Sequence, residues 1–320
     1  EAASDALLLL LSYRRWGESC LDYLLGDFAF ALWDAQKDWL FCARDALGAR
    51  DLCYYYTDDL FLAASEISQL LAHPAVEPQI NEIRVAAFLA KLWDDAQGSF
   101  LKDIYYLPPA HALIVTAQET RQWRYWDIDE GVVIRYKEEA DYVDHYRSIL
   151  DEAVRCRLRA TGPIAVSLSG GLDSSALAAL AAPAFPQTSQ NELHSFSYAF
   201  DELSSCDERR YIRPIVDRYQ IKAEFIPCDD KWTLNNLPEW PVSRDFVLAD
   251  PFAGLPDAVM KAAQKAGVRL LLTGYYGDTL SQGAHYWALD MLRDGQFSLL
   301  AATVRNNSSR SLWQYFIFDK

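Results

Sequence analysis

The stretch with the most chemistry in it is Gly162-Pro-Ile-Ala-Val-Ser-Leu-Ser-Gly-Gly-Leu-Asp-Ser-Ser175. Ile164, Val166 and Leu168 alternate with smaller residues, the period of a buried strand. Ser169 to Asp173 read as a short loop, and Ala176 to Ala182 as a small-residue helix able to pack closely on a sheet. A strand that passes through a Ser/Gly loop into a helix start makes an anion site. Gly170 and Gly171 let a ligand approach the backbone. The N–H groups of the helix start, with the hydroxyls of Ser169, Ser174 and Ser175, can donate to phosphate oxygens. Gly-x-x-x-x-Gly-Lys-Ser/Thr occurs nowhere in the chain, so no lysine is placed to follow a γ-phosphate.

A second glycine loop, Leu272-Thr-Gly-Tyr-Tyr-Gly-Asp278, ends the apolar segment Val268 to Thr273, which reads as another strand. By topology it should face the first loop. Asp173 and Asp278 are then candidates to hold Mg²⁺ on a pyrophosphate, because that hard cation takes a few carboxylates together with phosphate oxygens.

The elements that must position these loops follow from pattern. Strands over His194–Phe200, Lys222–Ile226 and Val268–Thr273 alternate with helical patterns over Asp207–Tyr219 and from Pro256 to Gly267. That alternation implies a doubly wound parallel α/β sheet with ligands at the carboxyl ends of its strands. Pro214 predicts a kink or a late start in the helix that contains it. Tyr142, Val143, Tyr146, Ile149, Leu150, Ala153 and Val154 follow a helical period just before the first loop.

Upstream, the pattern is mainly antiparallel β. Hairpins are expected over residues 26–45, Leu52–Ala64 and 112–126, with helices over Asp5–Trp16, from Ser65, and over Asn81–Trp93. Residues 104–109 read as a turn approach. The polar stretch Asp127–Lys137 places a domain boundary near 130, giving domains 1–130 and 131–320.

A formal net charge of -15 weighs against a nucleic-acid or anionic-membrane surface. The longest leucine run, Leu7–Leu11, is far below the roughly 20 apolar residues of a membrane span. The six cysteines are scattered without ligand spacing and read as reduced thiols of a cytoplasmic protein. The chain opens at Glu1 within what already looks like a helix, so a fragment or processed chain is expected.

Ser-Gly-Gly-Leu-Asp-Ser-Ser at 169–175 resembles the pyrophosphate loop of the ATP pyrophosphatase superfamily. With Leu193-His-Ser-Phe196, Asp207-Glu208 and Thr-Gly-x-x-Gly-Asp at 273–278, the chain is similar to the asparagine synthetase family along nearly its whole length. Gly26-Asp-Phe-Ala-Phe-Ala-Leu-Trp-Asp34, Arg44-Asp-Ala-Leu-Gly48 and Ala64-Ser-Glu66 resemble the second half of that family's class II glutamine amidotransferase domain. The resemblance implies an ATP-dependent ligase that forms an acyl-adenylate and passes the acyl group to ammonia or an amine. Aspartate would be the default carboxylate and glutamine the ammonia donor; the resemblance also allows a homodimer.

It further implies that Leu168, Tyr198, Thr273 and Gly274 line adenosine, and that Ser169, Gly170, Gly171, Leu172, Asp173 and Ser174 cradle pyrophosphate. Asp5 matches the carboxylate that holds the amino group of glutamine. Two departures stand out. The amino-terminal cysteine nucleophile of such glutaminases has no counterpart, Cys20 reading as a packed thiol, so the chain as given is not expected to hydrolyse glutamine. Tyr275 stands where asparagine synthetases carry Glu, as in the β-lactam synthetase branch. It can act on the amine's proton or simply pack on the substrate, which leaves an intramolecular cyclase of the β-lactam or lasso-peptide type as an alternative.

Overall fold

A computed structural model of the chain describes residues 4–92, 97–129, 131–160, 162–185, 192–233, 235, 252–281, 291–293 and 295–306. The chain divides into two compact units, with the division between Arg135 and Tyr136.

The first unit holds α1 (Asp5–Trp16), β1 (Ala29–Asp34), β2 (Trp39–Arg44), β3 (Cys53–Tyr56), β4 (Phe61–Ala64), α2 (Ile67–Leu70), α3 (Glu82–Leu89), β5 (Ile104–Tyr106), β6 (His111–Val115) and β7 (Thr120–Arg124). Its strands form two antiparallel sheets, ordered β1-β2-β6-β7 and β4-β3-β5. The period-2 alternation of β2 and β6 divides their side chains between two cores. Phe41, Ala43, Ala112 and Ile114 pack with Tyr13 and Leu21, while Cys42 and Leu113 pack with Leu52, Tyr54 and Leu107. Helix α1 is tied to this sheet by a polar relay. The Tyr13 hydroxyl donates to Asp34 Oδ2 (2.8 Å) and accepts from Trp39 Nε1 (3.0 Å).

The segment expected as a turn approach contains β5, which pairs with β3. Three residues are too few to show a strand period before the partner is known. The helix expected over Asn81–Trp93 ends at Leu89, with Asn81 capping it through Arg84 N (3.1 Å) and Lys91 in the left-handed region at φ 56. Trp93 lies outside the described residues.

The second unit holds α4 (Glu139–Arg157), β8 (Ile164–Ser167), α5 (Leu172–Ala184), β9 (Leu193–Ala199), α6 (Arg209–Tyr219), β10 (Lys222–Pro227), α7 (Gly254–Lys265), β11 (Leu270–Leu272), α8 (Gly277–Ser281) and α9 (Phe297–Asn306). Its four strands among the described residues are all parallel, in the order β10-β9-β8-β11. The sheet is covered on both faces, as a parallel sheet must be. Ile164, Val166, Ala178, Ala181 and Ile212 form one core, and Ala165, Phe196, Val259 and Ala263 the other. The chain is thus an antiparallel β unit followed by a doubly wound parallel α/β unit.

Helix α5 differs from expectation, α6 excludes one of two expected outcomes, and α4 forms as expected with only its end buried. Helix α5 begins at Leu172, not Ala176, because Gly171 serves as its N-cap and the polar Asp173 and Ser174 occupy its first turn, where short polar side chains suit a helix. Helix α6 starts at Arg209 and runs through Pro214, so the Arg210 carbonyl forgoes its partner within the helix. On α4 only Val154 is buried, while Tyr142, Val143, Tyr146 and Ile149 are exposed. Its carboxyl-terminal end alone enters the core, and a period does not say where along a helix packing begins.

The turn after β2 rests on one buried carboxylate. Asp45 is 2% exposed and accepts from Leu47 N (3.1 Å), Ala49 N (2.9 Å) and Arg50 N (2.9 Å). Asp45→Ala leaves three donors without that acceptor and is expected to lower stability by about 3 kcal/mol, read as a shift of the urea midpoint at unchanged slope.

Candidate functional site

Strand order brings the two glycine loops together. In β10-β9-β8-β11 the chain moves outward in one direction from β8 and then returns to its other side with β11, so the crevice between β8 and β11 is the switch point where ligands bind in such sheets. The loop of residues 168–171 leaves the carboxyl end of β8 and the loop of 273–276 that of β11. A Cβ built on Gly274 would lie 3.2 Å from Asp173 Cβ and 3.1 Å from Ser174 N. A Cβ built on Gly277 would lie 2.8 Å from Asp173 Cβ and 2.5 Å from Asp173 Oδ2. The second loop is therefore pressed on the first turn of α5, with the Asp173 carboxylate in the space that a side chain at 277 would take. Asp278, the second residue of α8, follows directly.

The first loop holds its own shape. Ser174 is 4% exposed, and its hydroxyl accepts from Ser169 N (3.1 Å), reaches Gly171 O (3.3 Å) and lies 3.1 Å from Ser169 Oγ. That hydroxyl is committed to the loop, whereas Ser169 is exposed. Leu168 is 1% exposed, donates its N–H to Phe196 O (3.0 Å) and belongs to the core. Leu172 is 91% exposed at the start of α5. The N–H groups of Leu172, Asp173 and Ser174 fall in the first turn, where an α-helix supplies no carbonyl for them. Gly170 takes φ +78, and a Cβ there would lie 2.8 Å from Tyr211 Cβ and 3.2 Å from Ile212 Cγ1. The loop thus leans on the first turn of α6.

That turn of α6 is clamped in its turn. Asp207 accepts from Phe200 N (3.2 Å) and from Arg209 Nε (2.8 Å), and Arg209 also reaches Asp201 (2.6 Å). Asp229, just past β10, accepts from the N–H groups of Asp201 (2.9 Å), Glu202 (2.9 Å) and Leu203 (3.1 Å). Those N–H groups hold its carboxyl below the usual range. Burial works against the charged form of Asp207, and Arg209, the Phe200 N–H and Arg213 outweigh it, so this carboxyl also falls below its ordinary value. Glu208 moves the other way, pushed up by burial and then by Asp207.

The remaining expected residues have these places. Tyr198 is half-buried in β9 and packs on the Phe196 core. Thr273 is exposed and Gly274 half-buried. Tyr275 is 70% exposed, and Tyr276 is 80% exposed with φ 64. Asp5 lies in the other unit, exposed in the first turn of α1, whose N-cap is Ser4. Cys20 is fully buried, and burial, then Asp22, pushes its thiol up to about 11. It is a neutral packing group at neutral pH. Gly277 was visible within its motif, but only the structure shows why that residue must lack a side chain.

Among the described residues no set of three His, Cys, Asp or Glu side chains converges as a metal site. Asp173 lies at the meeting of the two loops, and Asp278 follows Gly277 there. Among the described residues no helix is long and apolar enough to cross a membrane.

The sequence is similar to those of known proteins. Residues 1–126 match the glutamine amidotransferase domain family and residues 145–317 the asparagine synthase family. The chain is 36% identical over 241 residues to asparagine synthetase (glutamine-hydrolyzing) 3 of Bacillus subtilis, covering 75% of this chain and 37% of that protein. It is 28% identical over 307 residues to amidase chyE of Penicillium rubens (92% and 45% covered). It is 26% identical over 290 residues to a putative asparagine synthetase (glutamine-hydrolyzing) 2 of Methanocaldococcus jannaschii (88% and 54% covered). The chain therefore spans about half or less of the length of these relatives.

Two substitutions separate close packing from backbone freedom. Gly277→Ala must displace Asp173 and is expected to cost about 2 kcal/mol of stability by overpacking, read as a shift of the urea midpoint. Gly267→Ala, at φ +73 with open space beside it, should cost only about 1 kcal/mol, from backbone strain alone. For the thiols, iodoacetamide at pH 8 should label exposed Cys156 and Cys206 in the native protein and spare Cys20 until it is unfolded, read by peptide mass spectrometry.

Proposed function

The chain belongs to the asparagine synthase family, and from that premise we propose that it is the adenylating part of an ATP-dependent ligase that forms a carbon–nitrogen bond. A carboxylate oxygen of the substrate attacks the α-phosphorus of ATP, the bond to the bridging oxygen breaks, and pyrophosphate leaves. An amine or ammonia nitrogen then attacks the acyl carbon and AMP departs. The observation that carries this reading is the contact of Asp173 with Gly274 and Gly277 at the sheet's switch point.

In this reading the N–H groups of the first turn of α5 hold the β- and γ-phosphates, and the positive end of that helix offsets their charge. Ser174 keeps the loop in shape, and Leu168, Tyr198, Thr273 and Gly274 border the adenosine. Asp173 and Asp278 would hold Mg²⁺, which neutralises charge developing on the leaving pyrophosphate. Positioning and a fixed electrostatic environment supply most of the acceleration. Aspartate is the proposed carboxylate, as the names of the asparagine synthetase relatives suggest, and glutamine is the proposed amido donor only in a longer protein that supplies the cysteine nucleophile this chain does not contain. Asp5 would hold the glutamine amino group.

A second reading is an intramolecular cyclase. The exposed Tyr275 phenol favours it, since it stands free to meet a substrate amine where a Glu would serve ammonia.

ATP–pyrophosphate exchange by the intact protein tests the adenylation. Exchange should depend on one carboxylate, with aspartate the first to be tried. Asp173→Asn and Asp278→Asn should each lower it about 100-fold at unchanged melting temperature. Exchange that ignores both substitutions would falsify the assignment. Tyr275→Phe should leave exchange intact; amide formation from ammonia that also stays intact speaks against a proton-transfer role for the phenol.

A further inference from the structure

A phosphate cradle that lacks a loop lysine can draw a second cation from a neighbouring element, and helix α6 carries an arginine in the turn on which the loop leans. Resting on the nucleotide reading above, we propose that Arg210 is a phosphate-binding side chain for the triphosphate and the departing pyrophosphate. Tyr211 connects the two places. Its Cβ would lie 2.8 Å from a Cβ on Gly170, so it stands against the tightest point of the first loop. Tyr211 is 51% exposed, and its ring carries the Arg210 guanidinium 4.5 Å from its centroid. The guanidinium thus lies over the ring of the residue whose Cβ meets the loop.

Its neighbours on the helix are already engaged. Arg209 is bound by Asp207 and Asp201, and the charge of Arg213 acts on Asp207. Among the described residues no carboxylate pairs with Arg210, which remains exposed. In a chain of net charge -15, a guanidinium without a carboxylate partner at this place answers the electrostatic need of four closely spaced phosphate charges. Its planar donors also suit two phosphate oxygens at once, which a lysine would not match.

The test is steady-state ATP–pyrophosphate exchange by the intact protein and by Arg210→Gln, Arg210→Lys and Arg218→Gln. Arg218 is the control, because it also lies over a tyrosine ring of α6, that of Tyr219 at the far end of the helix. Arg210→Gln should raise KM for ATP and for pyrophosphate about tenfold, with kcat changed less than about twofold. Arg210→Lys should recover part of the loss by restoring charge, and Arg218→Gln should match the parent protein. Unchanged KM values in Arg210→Gln overturn the inference, as does a loss confined to kcat or an equal loss in Arg218→Gln. If the parent protein neither exchanges nor binds ATP, the nucleotide reading fails and this inference with it. If the parent is active and KM does not move, this inference alone fails.

Discussion

The site depends on a close approach between two pieces of backbone. Asp173 occupies the space a side chain at 277 would need, so the loop after β11 can settle on the first turn of α5 only because residue 277 is glycine. Sheet topology makes the meeting necessary: β8 and β11 are adjacent although a large part of the second unit separates them in sequence. The crevice at their carboxyl ends is where the strand order reverses. Local glycine chemistry then decides how near the two loops come. One constraint is global and the other local, and both place a carboxylate beside a helix start.

A second layer of constraint stands behind the first loop. Gly170 leans on Tyr211 and Ile212, and the turn that begins α6 is held by Asp207, Arg209 and Asp229 through charge-assisted hydrogen bonds. These acidic residues contribute to the strongly negative total, yet they point inward to backbone N–H groups and to one arginine. The anion site itself is made of N–H groups and a helix terminus. Net charge therefore says little about what this pocket accepts, because its backbone donors carry no formal charge and the one guanidinium proposed beside them is a local feature.

Much of this was legible in the sequence, for physical reasons that differ by element. The β8–loop–α5 passage could be read because a buried strand, a glycine turn and a helix of alanines have different periods and compositions. The parallel order of the second unit followed from alternation of strands and helices. What could not be read was set by partners remote in sequence. Strand β5 exists because β3 is there to pair with it. Helix α5 gains a turn at Leu172 because its cap is a glycine backbone, not a capping side chain. Pro214 sits inside α6 because Arg209, Asp207 and the core contact of Ile212 outweigh one lost hydrogen bond. In the candidate site the residue types were visible, but the emptiness needed at 277 and the parking of Arg210 on Tyr211 are properties of the folded arrangement.

The central claim is that the two loops enclose the phosphates of a nucleotide at the junction of β8 and β11. A crystal structure of the intact protein with α,β-methylene-ATP and Mg²⁺ tests it most directly. The account predicts phosphate density over residues 169–174, with Asp173 and Asp278 turned to one ion and residues 273–274 beside the nucleoside. Phosphates bound elsewhere, with Asp173 still packed against Gly277 and Asp278 directed away from them, would contradict it.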